Sequence, residues 1–223
     1  MRRLLLLALC CLPFTSQASF SVSPLNQILE PTQQAASYVL TNLASQRAAY
    51  SITALARDHD LQGKELLTAT KELRVFPATV VLEPGQSKRI KLLYLGSRAP
   101  AKELAYRVKF LQTDVDVSAE RSGKANMRYE FISALFIAPK NAKPDLQLTA
   151  KQGEQLELTV QNKGTAHQLL RDWRLRLTDA KGKEHIYPET LPQINLLADR
   201  TVTLNLAPMS ALNGPFTADI ELR

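Results

Sequence analysis

Apolar and polar positions alternate along most of the chain. Tyr38, Leu40 and Asn42 alternate with Val39 and Thr41, and Tyr50, Ile52, Ala54 and Ala56 follow at the same spacing. Ile90, Leu92 and Tyr94 come behind the basic run Lys88-Arg89, and Tyr106, Val108 and Phe110 alternate with Arg107 and Lys109. A period of two sends successive side chains to opposite faces, so each segment predicts a short strand with one face buried. Turn formers separate these strands, notably Glu83-Pro84-Gly85-Gln86 and the tip at Ser122-Gly123. From Arg57 to Thr70 the alternation weakens, which predicts a loop or a short helical turn.

The stretch from Met127 to Ala138, MRYEFISALFIA, is the longest apolar strand candidate, and its second half is apolar on both faces. Pro139 ends it, and the polar connector that follows places a domain boundary over 140–145. Strand signals then resume through Leu156, Leu158 and Val160, through Trp173, Leu175 and Leu177, through Val202, Leu204 and Leu206, and finally from Phe216 to Leu222. Asp179 to Lys183 and Asn213-Gly214 read as hairpin turns. The pattern predicts an all-β protein of two immunoglobulin-like β-sandwich domains in tandem, spanning 19–139 and 146–223.

Residues 1–18 stand apart. Arg2 and Arg3, the apolar stretch Leu4 to Leu12 and the small-x-small site Ser16-Gln17-Ala18 read as a signal peptide, with an apolar stretch too short to serve as a membrane anchor. Both cysteines, Cys10 and Cys11, fall inside it. The mature chain is then expected to be exported without any disulfide, held together by ordinary cores. Setting the leader aside lowers the formal charge from +7 to +5, because it carries two arginines and no acid. A surplus of that size is compatible with plain solvated charge.

Catalytic and cofactor signatures are missing from the sequence. It contains no G-x-S-x-G elbow, no mature cysteine and no glycine-rich phosphate loop. Asp58-His59-Asp60 would need further ligands to hold a metal and reads as a polar loop, while His167 and His185 read as surface histidines. The basic concentrations, Lys88-Arg89-Ile90-Lys91 and RDWRLR from Arg171, lack aromatics on the cationic face, as a nucleic-acid stacking platform would need. The expectation is a protein with no catalytic residues, no metal, no cofactor and no nucleic-acid partner.

With these features in place, the mature chain resembles the PapD-like periplasmic pilus (fimbrial) chaperones, on a divergent branch similar to the alternate chaperone–usher systems. The resemblance is carried by FSVSPLNQILEP from Phe20, YVLTN from Tyr38, Phe76-Pro77 with VVLEPGQSKRIKLLY, ELAYRV from Glu103, LFIAP from Leu135 and LTVQNKGTAHQL in the second half. It implies a periplasmic protein whose partners are pilus subunits and an outer-membrane usher. It also implies that the last strand of the first domain is donated to a subunit lacking a strand of its own, by β-augmentation. A free chaperone of this kind could cap itself as a dimer.

By parity Met127, Tyr129 and Phe131 form the inserting face, each worth roughly 1.5–3 kcal/mol on burial. The other reading of that face is that it fills the domain's own core. If it inserts, an Asp at Tyr129 or Phe131 should abolish capture and leave the fold intact. The family's better-known members hold the subunit carboxylate with two basic residues, whose positions fall here on Gln27 and Ala134. The anchor is then expected to have moved to Arg107, Lys109 or Arg128, with Arg107 preferred because arginine can grip a carboxylate with two hydrogen bonds. The rival readings are a secreted surface or pilus structural subunit, and an exported sugar-binding or hydrolytic sandwich.

Overall fold

A computed structural model describes residues 19–113, 129–212 and 214–222. Met127, Arg128 and the Ser122-Gly123 tip lie outside the described residues. The chain is all-β, with eighteen strands among those residues. Strands β1 (Phe20–Ser23), β2 (Asn26–Leu29), β3 (Ala35–Asn42), β4 (Ala48–His59), β5 (Glu65–Ala69), β6 (Leu73–Phe76), β7 (Thr79–Leu82), β8 (Ser87–Tyr94), β9 (Leu104–Thr113) and β10 (Glu130–Ile137) build the first sandwich. One sheet has the order β1-β3-β8-β6; the other runs β2-β10-β9-β4-β5, with β7 also on β4.

The alternating apolar residues meet between the two sheets. Tyr38, Leu40, Tyr50, Ile52, Ile90, Leu92, Tyr106, Val108, Phe110, Leu135 and Ile137 share one buried cluster. Phe20 and Phe110 add edge-to-face ring contacts with Tyr50 and Tyr38, at 5.1 and 5.5 Å. The first stretch of chain divides itself between the sheets. As β1 it pairs antiparallel with β3; after Pro24 it crosses over and runs parallel to β10 as β2.

The expected loop from Arg57 to Thr70 is a hairpin instead. β4 continues to His59 and pairs with β5 from Leu55↔Ala69 to His59↔Glu65. The clear burial alternation fades through this region because adjacent residues on opposite faces both carry charge and both find partners. Arg57 pairs with Glu65 across the hairpin, and Asp58 pairs with Arg200 of the second sandwich.

The second sandwich holds β11 (Leu146–Gln152), β12 (Leu156–Asn162), β13 (Gln168–Leu170), β14 (Arg174–Asp179), β15 (Glu184–Ile186), β16 (Ile194–Leu196), β17 (Arg200–Leu206) and β18 (Phe216–Glu221). They form sheets β11-β12-β17, β13-β16 and β15-β14-β18 around Leu156, Leu158, Val160, Trp173, Leu175, Leu177 and Val202. The two units repeat one device. Buried Asn42 and Asn162, each at the end of its strand, donate to the carbonyls of Gln46 and Ala166 and accept the backbone N–H two residues on. In the second unit Gly164 is also required by close approach, since a Cβ there would lie 2.4 Å from backbone atoms of Lys143 and Asp145. That contact straps the connector to the turn, helped by N–H donation from Lys163 to the Asp145 carbonyl and from Thr165 to that of Lys143.

The sandwiches meet through a mixed junction. Arg200 grips Asp58 with two hydrogen bonds of 2.7 and 2.8 Å, and the Thr203 N–H donates to the Leu61 carbonyl at the tip of the β4–β5 hairpin. Ala134, Phe136 and Leu197 bury one another, with Ala105 alongside. His167 is not a surface histidine: its ring stacks on Phe136 at 4.0 Å and 7°, and Nδ1 lies 2.6 Å from the buried Glu103 carboxylate. His59 is buried in the same junction, where Nε2 accepts the Leu197 N–H at 3.4 Å. His185 lies 3.2 Å from Asp179 Oδ2, across the β14–β15 hairpin.

Candidate functional site

The sheet switch after Ser23 leaves β10 with two unlike halves. From Ala134 to Ile137 the strand is paired on both sides, with β2 through Ala134↔Asn26 to Ile137↔Leu29 and with β9 through Ala134↔Arg107 to Ile137↔Leu104. Both faces of this half are buried, the inner one by Leu135 and Ile137 in the core, the outer one by Ala134 and Phe136 in the junction. From Glu130 to Ser133 only β9 is alongside, because β2 first pairs at Ala134. Among the described residues no strand lies on the other side of this half.

The hydrogen-bond directions follow from the register. The Gln112 N–H donates to the Tyr129 carbonyl, so the ladder with β9 already holds at Tyr129 and odd-numbered residues of β10 bond toward β9. The Ala134 N–H donates instead to the Leu25 carbonyl and that of Ala138 to Leu29, so even-numbered residues bond toward β2. Ahead of Ala134 this leaves the N–H and C=O groups of Glu130 and Ile132 pointing along the open edge. Ser133 closes the boundary by donating its hydroxyl to the Leu25 carbonyl at 2.6 Å. Tyr129 and Ile132 are 37% and 45% exposed at this edge, large apolar side chains where a folded domain ordinarily places polar ones.

Tyr129 and Phe131 share the parity of Leu135 and Ile137, so the candidate inserting face and the core face are one surface. Phe131 is already partly engaged by that core, its ring edge-on to Phe20 at 6.0 Å. Tyr129 lies further out along the same face and is more exposed. Ile132 faces the junction side.

The candidate cations fall on that outer face of the sheet. Arg107 stands directly opposite Ala134, and Lys109 opposite Ile132. Lys109 is held by Glu130 at 2.6 Å. Arg107 donates through Nε and Nη2 to Glu65 Oε1, at 2.8 and 2.7 Å. Arg57 Nε donates to the same oxygen at 2.6 Å, so two guanidiniums share one carboxylate. The Arg57 side chain is only 7% exposed, and its Nη1 has no partner among the described residues. Burial, and then the nearby Arg107 charge, pull the Arg57 guanidinium below its ordinary value despite Glu65. Burial pushes the Glu65 carboxyl up, but the hydrogen bonds and charges of Arg107 and Arg57 together outweigh it and hold it below the usual range.

A cavity of about 150 Å³ beside Arg57 is lined also by Lys102, Glu103, Leu197 and Arg200. Asp58 and Glu72 complete its charged lining, so three cations there face three carboxylates. Gln27, by contrast, turns inward and donates its amide to the Ser37 carbonyl. Sequence reasoning missed Arg57 and Glu65. Continuing the Tyr50–Ile52–Ala54–Ala56 alternation one residue further would have set Arg57 on the same face as Arg107.

Two tandem immunoglobulin-like sandwiches, with an apolar strand of the first only half covered by its neighbour, form the fold of the PapD-like pilus chaperones. No family model and no curated protein matches the sequence. Among solved structures the chain is similar to one in the CsuC–CsuE chaperone–tip adhesion subunit pre-assembly complex from the archaic chaperone–usher Csu pili of Acinetobacter baumannii. The identity there is 17% over 90% of this chain and 98% of that one, with a TM-score of 0.61. It is also similar to the class 5 fimbriae chaperone CfaA, at 14% identity over 92% and 99% of the two chains and a TM-score of 0.59. A third likeness is to the Salmonella enterica SafA pilin–SafB chaperone complex, at 17% identity over 87% and 86%, with a TM-score of 0.58. At such identities the likeness is one of fold.

Proposed function

We propose that this protein is a periplasmic chaperone of pilus assembly that captures fimbrial subunits by lending them the open half of β10. The observation that carries this reading is the edge at Glu130 to Ser133, which has no strand beside it among the described residues, bears Tyr129 and Ile132, and is left open by the sheet switch of the first strand. An incoming subunit strand would take up the outward N–H and C=O groups of Glu130 and Ile132, while Tyr129 and Phe131, with Met127 ahead of them, fill its groove. Capture of this kind needs neither catalytic group nor cofactor; the free energy comes from burying apolar surface and completing the subunit's sheet. Residues 1–18 serve as the export signal, 19–139 and 146–223 are the two domains joined by 140–145, and the loaded chaperone passes its subunit to an outer-membrane usher.

The subunit's terminal carboxylate is assigned to Arg107, backed by Arg57. Arg107 stands directly opposite Ala134, the position at which the resemblance implies a basic side chain, and Glu65 neutralises only one of the two arginines. Lys109 is the weaker candidate, being committed to Glu130. The structural-subunit alternative is disfavoured by β18, which pairs with β14 along Arg174↔Glu221 to Asp179↔Phe216 and leaves that sheet without a missing strand there.

The test is purification of the tagged protein from the periplasm of its pilus-producing host, followed by mass spectrometry. A stoichiometric small β-rich subunit, lost in Tyr129→Asp, is expected. A clean preparation with no such partner from piliated cells would overturn the reading in favour of a structural subunit.

A further inference from the structure

The basic run Lys88-Arg89-Ile90-Lys91 takes no part in the edge or the cleft. It lies on β8, in the sheet on the far side of the first sandwich from β10. Ile90 and Leu92 point into the core, so Arg89, Lys91 and Leu93 point out. The register sets each outward apolar side chain directly against a cation: Val39 opposite Arg89, Phe76 opposite Lys91 and Leu93 opposite Arg74. All six are exposed, Phe76 by 71%. The remaining outward positions of these four strands are serine, threonine and alanine, so no carboxylate stands on the face. Glu72, the nearest acid along β6, is turned away and accepts the Tyr106 hydroxyl at 2.6 Å. None of the three cations has an ion-pair partner among the described residues.

We propose that this outer sheet face is a second docking surface, which takes an extended acidic segment of a protein partner with carboxylates at alternate positions. Arg89 and Lys91 are two residues apart on one strand, a separation of about 6.8 Å, which is also the repeat of alternate side chains on an extended peptide. The methylene stems of these acidic side chains would lie on Val39, Phe76 and Leu93, which are in cross-strand contact with the cations, while the residues between them face away from the sheet. An anionic bilayer fits less well. On this face the long arginine and lysine side chains reach further out than Val39 and Leu93 and keep these shorter side chains out of the acyl region, which leaves Phe76 alone to insert. The proposal is independent of strand donation, because it uses the opposite sheet.

The test is a titration of the full mature protein with a fluorescein-labelled peptide alternating glutamate and valine, read by anisotropy. The parallel probes are a lysine–valine peptide and vesicles containing phosphatidylglycerol. The glutamate peptide is expected to bind in a salt-sensitive manner. Arg89→Glu with Lys91→Glu should weaken it at least tenfold, and Phe76→Ser about threefold. The same charge reversal at Lys181 and Lys183 of the second sandwich, and Tyr129→Asp on the donor edge, should leave it unchanged. Equal binding of the lysine peptide, insensitivity to Arg89→Glu/Lys91→Glu, or binding to the vesicles alone would overturn the proposal.

Discussion

The two halves of β10 are continuous in sequence, one of them half polar and the other wholly apolar, and they differ in what they can do. The half from Ala134 to Ile137 is paired on both sides and buried on both faces; the half from Glu130 to Ser133 has, among the described residues, one partner strand and an open edge. Composition alone does not open the edge. The opening comes from the neighbour, since the first strand spends Phe20–Ser23 on the other sheet and reaches β10 only at Asn26. An edge available to a partner is thus made by where another strand stops.

Proline substitutions separate the halves most sharply. Phe136→Pro removes an N–H directed at β2 inside a doubly paired, buried segment, and is expected to cost about 3 kcal/mol or more. Ile132→Pro removes an N–H that faces only the open edge, which a strand tolerates. It should leave the melting temperature within a few degrees while lowering subunit capture tenfold or more. Equal destabilisation by both, measured by chemical denaturation, would mean that the edge is covered in the free protein.

Aspartate at the two inner-face positions draws a finer line. The structure corrects the expectation that both variants stay folded. Phe131 packs on Phe20 within the core cluster, so Phe131→Asp should cost about 2–4 kcal/mol in addition to abolishing capture. Tyr129, more exposed, should lose capture at a stability cost below about 1 kcal/mol. A folded Tyr129→Asp that still retains subunits would remove this face from the mechanism.

The cleft charges come next. Arg107→Ala should weaken capture by roughly ten- to a hundredfold, the equivalent of about 1.5–3 kcal/mol for a charge-assisted hydrogen bond. Glu65→Gln should do the reverse, since it frees Arg107 to meet an incoming carboxylate, while unfolding becomes easier because the buried Arg57 loses its counter-charge. If both variants bind alike, Arg107 is not the anchor.

The smallest effect is on pH. Hydrogen bonds from Arg200 hold the Asp58 carboxyl below its ordinary value, and the two arginines do the same for Glu65 against the opposing effect of burial. A carboxyl depressed on folding contributes its full stability above the unfolded value of about 4 and loses it as the pH falls through the folded value. The melting temperature should therefore decline below about pH 4. Asp58→Asn should flatten that decline slightly, because so exposed a pair is worth at most about 1 kcal/mol.

Much of the fold was legible because buried faces leave a period of two. Tyr38–Leu40, Ile90–Leu92 and Tyr106–Phe110 all point inward as their spacing requires, and the doubly apolar LFIA segment marks the strand buried on both faces. The hairpin at Arg57 to Thr70 was obscured because both of its faces carry charge for reasons the local pattern does not show: Arg57 and Glu65 pair across it, and Arg107 and Arg200 meet Glu65 and Asp58 from elsewhere in the chain. The junction histidines His59 and His167 were invisible for the same reason. Parity found the candidate inserting face. What parity could not give is that the edge opens at Ser133, since that depends on where a strand a hundred residues earlier changes sheets.

The most direct test of the central claim is residue-resolved amide hydrogen exchange of the protein, alone and loaded with its subunit. The account predicts fast exchange at Glu130 and Ile132 in the free protein and strong protection on loading, with Ala134 and Phe136 protected in both states. Protection of Ile132 in the free monomer, or its continued fast exchange in the loaded complex, would contradict it.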